Sequence, residues 1–144
     1  MFIPIDIVVG RDYPKKVIPL IKAAERSISI LVFDWRWYDD QPGSQIQLFN
    51  NAIVNSVKRG VCVRATIFKG DTWRVFKNLG INAKKLDSSH VLHVKLIIID
   101  SKIVVLGSHN FTKSAFDLNY EASVIIYSEE IAKQFYIEFG NFFV

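Results

Sequence analysis

Short apolar runs rich in Ile and Val alternate with amphipathic stretches along nearly the whole chain, and this alternation constrains the fold more than any other feature. Residues 3–9, 28–33, 61–67, 81–86, 93–99, 102–106 and 122–127 read as strands, the run at 81–86 being the weakest. Residues 14–26, 45–58, 71–79 and 128–142 carry the helical period, and a short helix follows Asn110. Runs such as residues 28–33 are apolar at almost every position, so such a strand is buried on both faces. Gly60 and Gly80 stop helices, Asp71 and Ser128 are placed to cap them, and Asp100-Ser101 is the turn of a hairpin. Strands alternating with helices predict an α/β fold, a mixed, mainly parallel β-sheet sandwiched between helices, in a single domain spanning residues 1–144.

Within that frame residues 93–110 hold the pattern H-x-K-x4-D-x6-G-S-x-N, formed by His93, Lys95, Asp100, Gly107, Ser108 and Asn110. At roughly one in twenty per residue type, six fixed positions coincide by chance on the order of once in 10^7 to 10^8 start sites. The pattern resembles the signature of the phospholipase D superfamily. Residues 21–30, residues 58–64 and Asn119-Tyr120-Glu121 resemble the first helix and strand, the helix-to-strand junction and the trailing acidic element of that family, in the same order. The resemblance implies cleavage of phosphodiesters through a covalent phosphohistidine without a metal. It also implies an orienting or structural role for Asp100 and a carboxylate at Glu121 that holds the histidine Nδ1–H.

The spacing suits that chemistry. Side chains alternate along a strand, so His93 and Lys95 leave the same face about 6 to 7 Å apart and can address one phosphate. The hairpin returns Gly107 and Ser108 beside His93, where glycine lets backbone approach an anion. The Ser108 hydroxyl, the Asn110 amide and the N–H groups opening the next helix are candidate donors to non-bridging oxygens. The catalytic candidates are therefore His93, Lys95, Ser108, Asn110, Glu121 and Asp100, although an Asp at a hairpin tip is also expected from turn chemistry alone. His90 and His109 are read as incidental, with His109 a minor candidate for substrate contact. No group of carboxylates, Cys or His has metal-ligand spacing, so no metal and no other cofactor is expected.

One histidine cannot be both the nucleophile on one side of phosphorus and the proton donor on the other. Single-motif relatives are expected to form a homodimer with the site across its two-fold axis. Residues 51–95 hold nine basic side chains against Asp71 and Asp87, a charge of +7 that fits a polyanion such as DNA or RNA. The aromatics and arginine of Phe33-Asp34-Trp35-Arg36-Trp37-Tyr38, at the end of a buried strand, are candidates to stack on exposed bases, Trp35 and Arg36 foremost. A nuclease is the preferred reading. A phospholipid hydrolase of the cardiolipin type is the alternative and would want an anchor or an exposed apolar patch, neither of which the sequence displays; a non-catalytic nucleic-acid-binding dimer module is the third. The N-terminus lacks a basic signal-like region, no apolar run reaches membrane-spanning length, and Cys62 stands alone. Cytoplasmic location without membrane insertion, and a buried Cys62, are the corresponding expectations.

Overall fold

Seven strands form one sheet in the order β1-β7-β6-β5-β2-β3-β4, as seen in a computed structural model that describes residues 2–143. The strands are β1 (Ile5–Val9), β2 (Ser27–Asp34), β3 (Cys62–Lys69), β4 (Asn82–Lys85), β5 (Lys95–Ile99), β6 (Ile103–Gly107) and β7 (Ala122–Tyr127). Helices α1 (Asp12–Lys22), α2 (Gln45–Lys58), α3 (Thr72–Asn78), α4 (Lys113–Asp117) and α5 (Glu129–Phe139) complete the domain, with a 3-10 turn at Gly140–Phe143. The sheet is mixed, as expected, but not mainly parallel. Only β2–β3 and β3–β4 run parallel, whereas β1–β7, β7–β6, β6–β5 and β5–β2 are antiparallel. The hairpin at Asp100-Ser101, both at positive φ, accounts for β5–β6; the other antiparallel pairs arise because β5 inserts beside β2 and β7 lies between β6 and β1.

The central strands are buried on both faces. Ile28, Ile30, Ile97 and Ile99 join a large core with Val17 and Ile21 of α1 and Phe49 and Ile53 of α2. Leu31, Leu96, Ile98 and Val104 form the opposite layer with Ala132 of α5 and Phe143. Asp100 locks one end of this sandwich. Its carboxylate accepts from the backbone N–H groups of Glu25, Arg26 and Ser27 at 2.7 to 3.2 Å, tying the hairpin to the start of β2. Burial pushes its pKa up, but those N–H donors and the charge of Lys102 outweigh it and hold the carboxyl below its ordinary value.

Cys62 is exposed, against expectation, because it opens β3 at the rim of the sheet. Asp71 precedes α3 without capping it, since its Oδ1 accepts instead from the backbone N–H of Trp37 at 3.0 Å. Ser128 caps α5 as its sequence predicts, accepting from Ile131 N.

Candidate active site at the His93 end of the sheet

Register decides what meets His93. Val32 of β2 pairs with Lys95 and Leu96 of β5 pairs with Leu106 of β6, so the end of β2, the start of β5 and the end of β6 lie together. Gly107 pairs with Ser123, which adds the start of β7 to the same rim. Asp100 lies at the other end of β5, beside the start of β2, so the structure removes it from the candidate catalytic set. A strand of five residues separates it from His93, which puts the two about 23 Å apart at the usual rise.

His93 stands exposed just before β5, and Lys95 is its first residue, 9% exposed. The Lys95 Nζ lies 3.1 Å from His93 Nδ1 and 3.2 Å from Nε2, so the ammonium and imidazole already address one point. Burial lowers the Lys95 pKa, partly offset by the negative charge of Glu121. Phe33, expected only as one of the aromatics available for stacking, supports both groups: its ring lies 5.0 Å from the His93 ring and 5.7 Å from Lys95 Nζ. No sequence signal ties Phe33 to His93, because β2 and β5 are paired across some 60 intervening residues and only the fold brings them together.

Asn110 accepts through Oδ1 from Asp34 N at 3.1 Å, which fixes the amide and turns its Nδ2 to other uses. Ser108 donates to Glu121 Oε1 at 2.6 Å and accepts from Ala122 N at 3.0 Å, while Asn119 Nδ2 holds Glu121 Oε2 at 3.0 Å. Within this chain Glu121 therefore aligns Ser108 and does not hold the His93 imidazole, contrary to expectation. The hydroxyl hydrogen of Ser108 is likewise committed to Glu121. Gly107 is required for a reason other than anion approach, since a Cβ there would overlap Ser123 and the Ala122 carbonyl. Two of the opening N–H groups of α4 are also taken, Lys113 N by the Tyr38 hydroxyl at 3.0 Å and Ala115 N by Thr112.

His109 is fully buried. Its Nε2 lies 2.9 Å from the Gly10 carbonyl, which only accepts, so Nε2 bears the hydrogen and Nδ1 takes the Ser123 hydroxyl at 2.7 Å. Burial lowers its pKa against the pull of the Gly10 carbonyl and Glu121. Held by Gly10 and Ser123, it anchors the loop between Ser108 and Asn110 and, being buried, offers nothing to a substrate. His90 is exposed beside Ser89.

Trp35 is not a stacking surface. It is fully buried, its Nε1 donates to Asn50 Oδ1 at 2.7 Å, and it packs edge-on against Phe76 and Phe111 at 5.0 Å. Strand alternation alone would set Trp35 on the Leu31 and Phe33 face, but β2 ends at Asp34 and the chain turns the ring into the core of Ile28, Ile30 and Val32. Arg36 does reach the rim, where Asp34 Oδ1 binds its Nε at 2.7 Å and raises its pKa. The basic track also contracts. Lys58 and Arg59 lie at the end of α2, away from His93, and Arg64 is tied to Phe143 O and Ser29. Lys69, Arg74, Lys84 and Lys85 remain on the β3–β4 side of the site. Among the described residues no group of three or more His, Cys, Asp or Glu is assembled for a metal, and no helix is long and apolar enough to cross a membrane.

Comparison with known proteins places these features in a family. The family model for the PLD-like domain of cardiolipin synthase matches residues 17–143. A phospholipase D of Rickettsia prowazekii is 30% identical over 127 residues, 84% of this chain and 58% of that protein. The chain spans about half the length of the curated relatives it matches. Nuc, a phospholipase D family member from Salmonella typhimurium, superposes with a TM-score of 0.79 at 26% identity over 98% of this chain and 94% of its own. NucT from Helicobacter pylori gives 0.75 at 21% identity, covering 98% and 96%, a likeness of fold. Matched by the family model from residue 17 to residue 143, and carrying the motif histidine and lysine in contact at the sheet rim, the chain belongs to the phospholipase D superfamily.

Proposed function

We propose that the protein is a phosphodiesterase acting on nucleic acid, with a site completed by a second copy of the chain. The contact between exposed His93 and buried Lys95 carries the reading, because it sets a nucleophile and a cation on one point at an open rim. His93 attacks phosphorus, the bond to the leaving oxygen breaks, and His93 of the partner subunit gives that oxygen its proton. The same imidazole then takes a proton from the water that hydrolyses the phosphohistidine, restoring both groups. One imidazole is thus the nucleophile and its two-fold mate the acid and then the base. Lys95 and the Asn110 Nδ2 hold the non-bridging oxygens, while Glu121 and Ser108 brace the rim. Lys69, Arg74, Lys84 and Lys85 offer the flanking phosphates a basic path.

A specific observation favours a second reading, hydrolysis of a phospholipid. Val91 is 59%, Leu118 74% and Tyr120 fully exposed, and Val9, opposite Ala122 at the same rim, is 56% exposed. This is the apolar surface that the sequence alone did not display. It suits a lipid interface, and it suits the subunit contact of the first reading. Turnover of oligonucleotides and of cardiolipin vesicles separates the two substrates. Mixing wild type with His93→Ala under subunit exchange tests the shared site: activity should follow the square of the wild-type fraction, about a quarter at equal amounts. A linear decline, or full activity from a monomer, would refute it.

A further inference from the structure

Next to the His93 rim lies a cavity of about 420 Å³, lined by Asp34, Arg36, Trp37, Tyr38, Asp71 and Thr112 among others. Its position follows from the chain path. Asp34 lies two residues beyond the Val32–Lys95 pair, hence across from His93, and its N–H is held by Asn110. The segment then runs along residues 110–112, with Phe111 N donating to Asp34 O and Arg36 N donating to Phe111 O, both at 3.0 Å. A group bound in the cavity therefore adjoins a phosphate held at Lys95 and Asn110.

The walls are set before any ligand arrives. Asp34 braces the Arg36 guanidinium. Trp37 is pinned three ways: its N–H donates to Asp71 Oδ1, its indole donates to Asp39, and its ring packs edge-on against Phe76 at 6.2 Å. Tyr38 is fixed through its N–H to Gln47 and its hydroxyl to Lys113 N. Two half-exposed aromatic walls, a planar guanidinium and a carboxylate whose Oδ2 has no partner among the described residues present π surface, donors and an acceptor together. That combination suits a planar heterocycle with a polar edge and gives an aliphatic chain little.

We propose that this cavity is a nucleobase subsite, receiving the base of a nucleotide that flanks the scissile phosphate, with Trp37 as its stacking wall and Asp71 and Arg36 facing the base edge. The proposal rests on the nucleic-acid reading above. It moves base recognition from buried Trp35 to Trp37, two residues on.

The test compares an oligonucleotide, the same oligonucleotide with abasic sites, and bis(p-nitrophenyl) phosphate, which carries no base. Trp37→Ala and Asp71→Asn should lower kcat/KM on the intact oligonucleotide about tenfold, the scale of one stacked base. The abasic substrate should be cut more slowly than the intact one by the wild type, and both variants should cut the abasic strand at the wild-type rate. Trp37→Phe should recover most of the oligonucleotide activity and guards against misfolding of the alanine variant. Equal losses on all substrates, or intact and abasic strands cut equally well by the wild type, overturn the subsite alone. A wild type that hydrolyses bis(p-nitrophenyl) phosphate but no oligonucleotide overturns the nucleic-acid reading itself.

Discussion

Asp100 separates a catalytic from a structural reading of the motif most cleanly, because the two readings place its effect in different measurements. Its carboxylate receives three backbone N–H groups, from Glu25, Arg26 and Ser27. A hydrogen bond to a charged group contributes about 1.5 to 3 kcal/mol when water is excluded. The Glu25 and Arg26 groups are exposed and can turn to water once the carboxylate is gone, so only the half-buried Ser27 bond is counted in full. Asp100 also sits at φ 53°, where alanine adds about 1 kcal/mol of strain. Asp100→Ala should therefore lose about 3 kcal/mol of stability in urea denaturation, and Asp100→Asn, which keeps a neutral acceptor and tolerates that φ, about 1 kcal/mol. The pH dependence has a definite sign. The folded pKa lies below the unfolded value of 3.8, so the contribution is present above that value and is lost as pH falls through the lower folded one. The gap between wild type and Asp100→Ala should be constant from about pH 5 to 7 and close only in stronger acid. kcat per folded molecule should stay within about twofold, since no reacting group lies near. A hundredfold fall in kcat, the least expected of a lost proton-transfer group, with an unchanged denaturation midpoint, would refute the structural assignment.

Lys95 is expected to set the alkaline limb of activity. Burial lowers its pKa and the ammonium is the useful form, so activity is lost as pH rises through a value below that of an ordinary lysine; a profile flat to that ordinary value counts against the assignment. Gly107→Ala should cost about 2 kcal/mol or more in denaturation and depress kcat as well, because the added methyl meets Ser123 and the Ala122 carbonyl and pushes Ser108 off the rim. An alanine variant of wild-type stability would show that β6 and β7 can part there freely.

Much of this protein was determined locally. Apolar runs of Ile and Val set the strands, helical spacing in residues 45–58 set both ends of α2, and Ser128 capped α5 because capping needs only neighbours in sequence. The pairing of His93 with Lys95 was legible for the same reason, as two positions apart on an extended chain face the same way. What spans distant segments was not. Strand direction depends on which strands become neighbours, so a sheet expected to be mainly parallel is antiparallel at four of its six pairings. Trp35 looked available for stacking until the fold placed Asn50, Phe76 and Phe111 around it, and Glu121 matched a histidine partner until β6 and β7 set Ser108 against it. Asp100 belongs to the motif in sequence and to the opposite end of the sheet in space. A sequence fixes what a residue can do through its own atoms and near neighbours, whereas its partners are chosen by long-range register, which only the folded sheet decides.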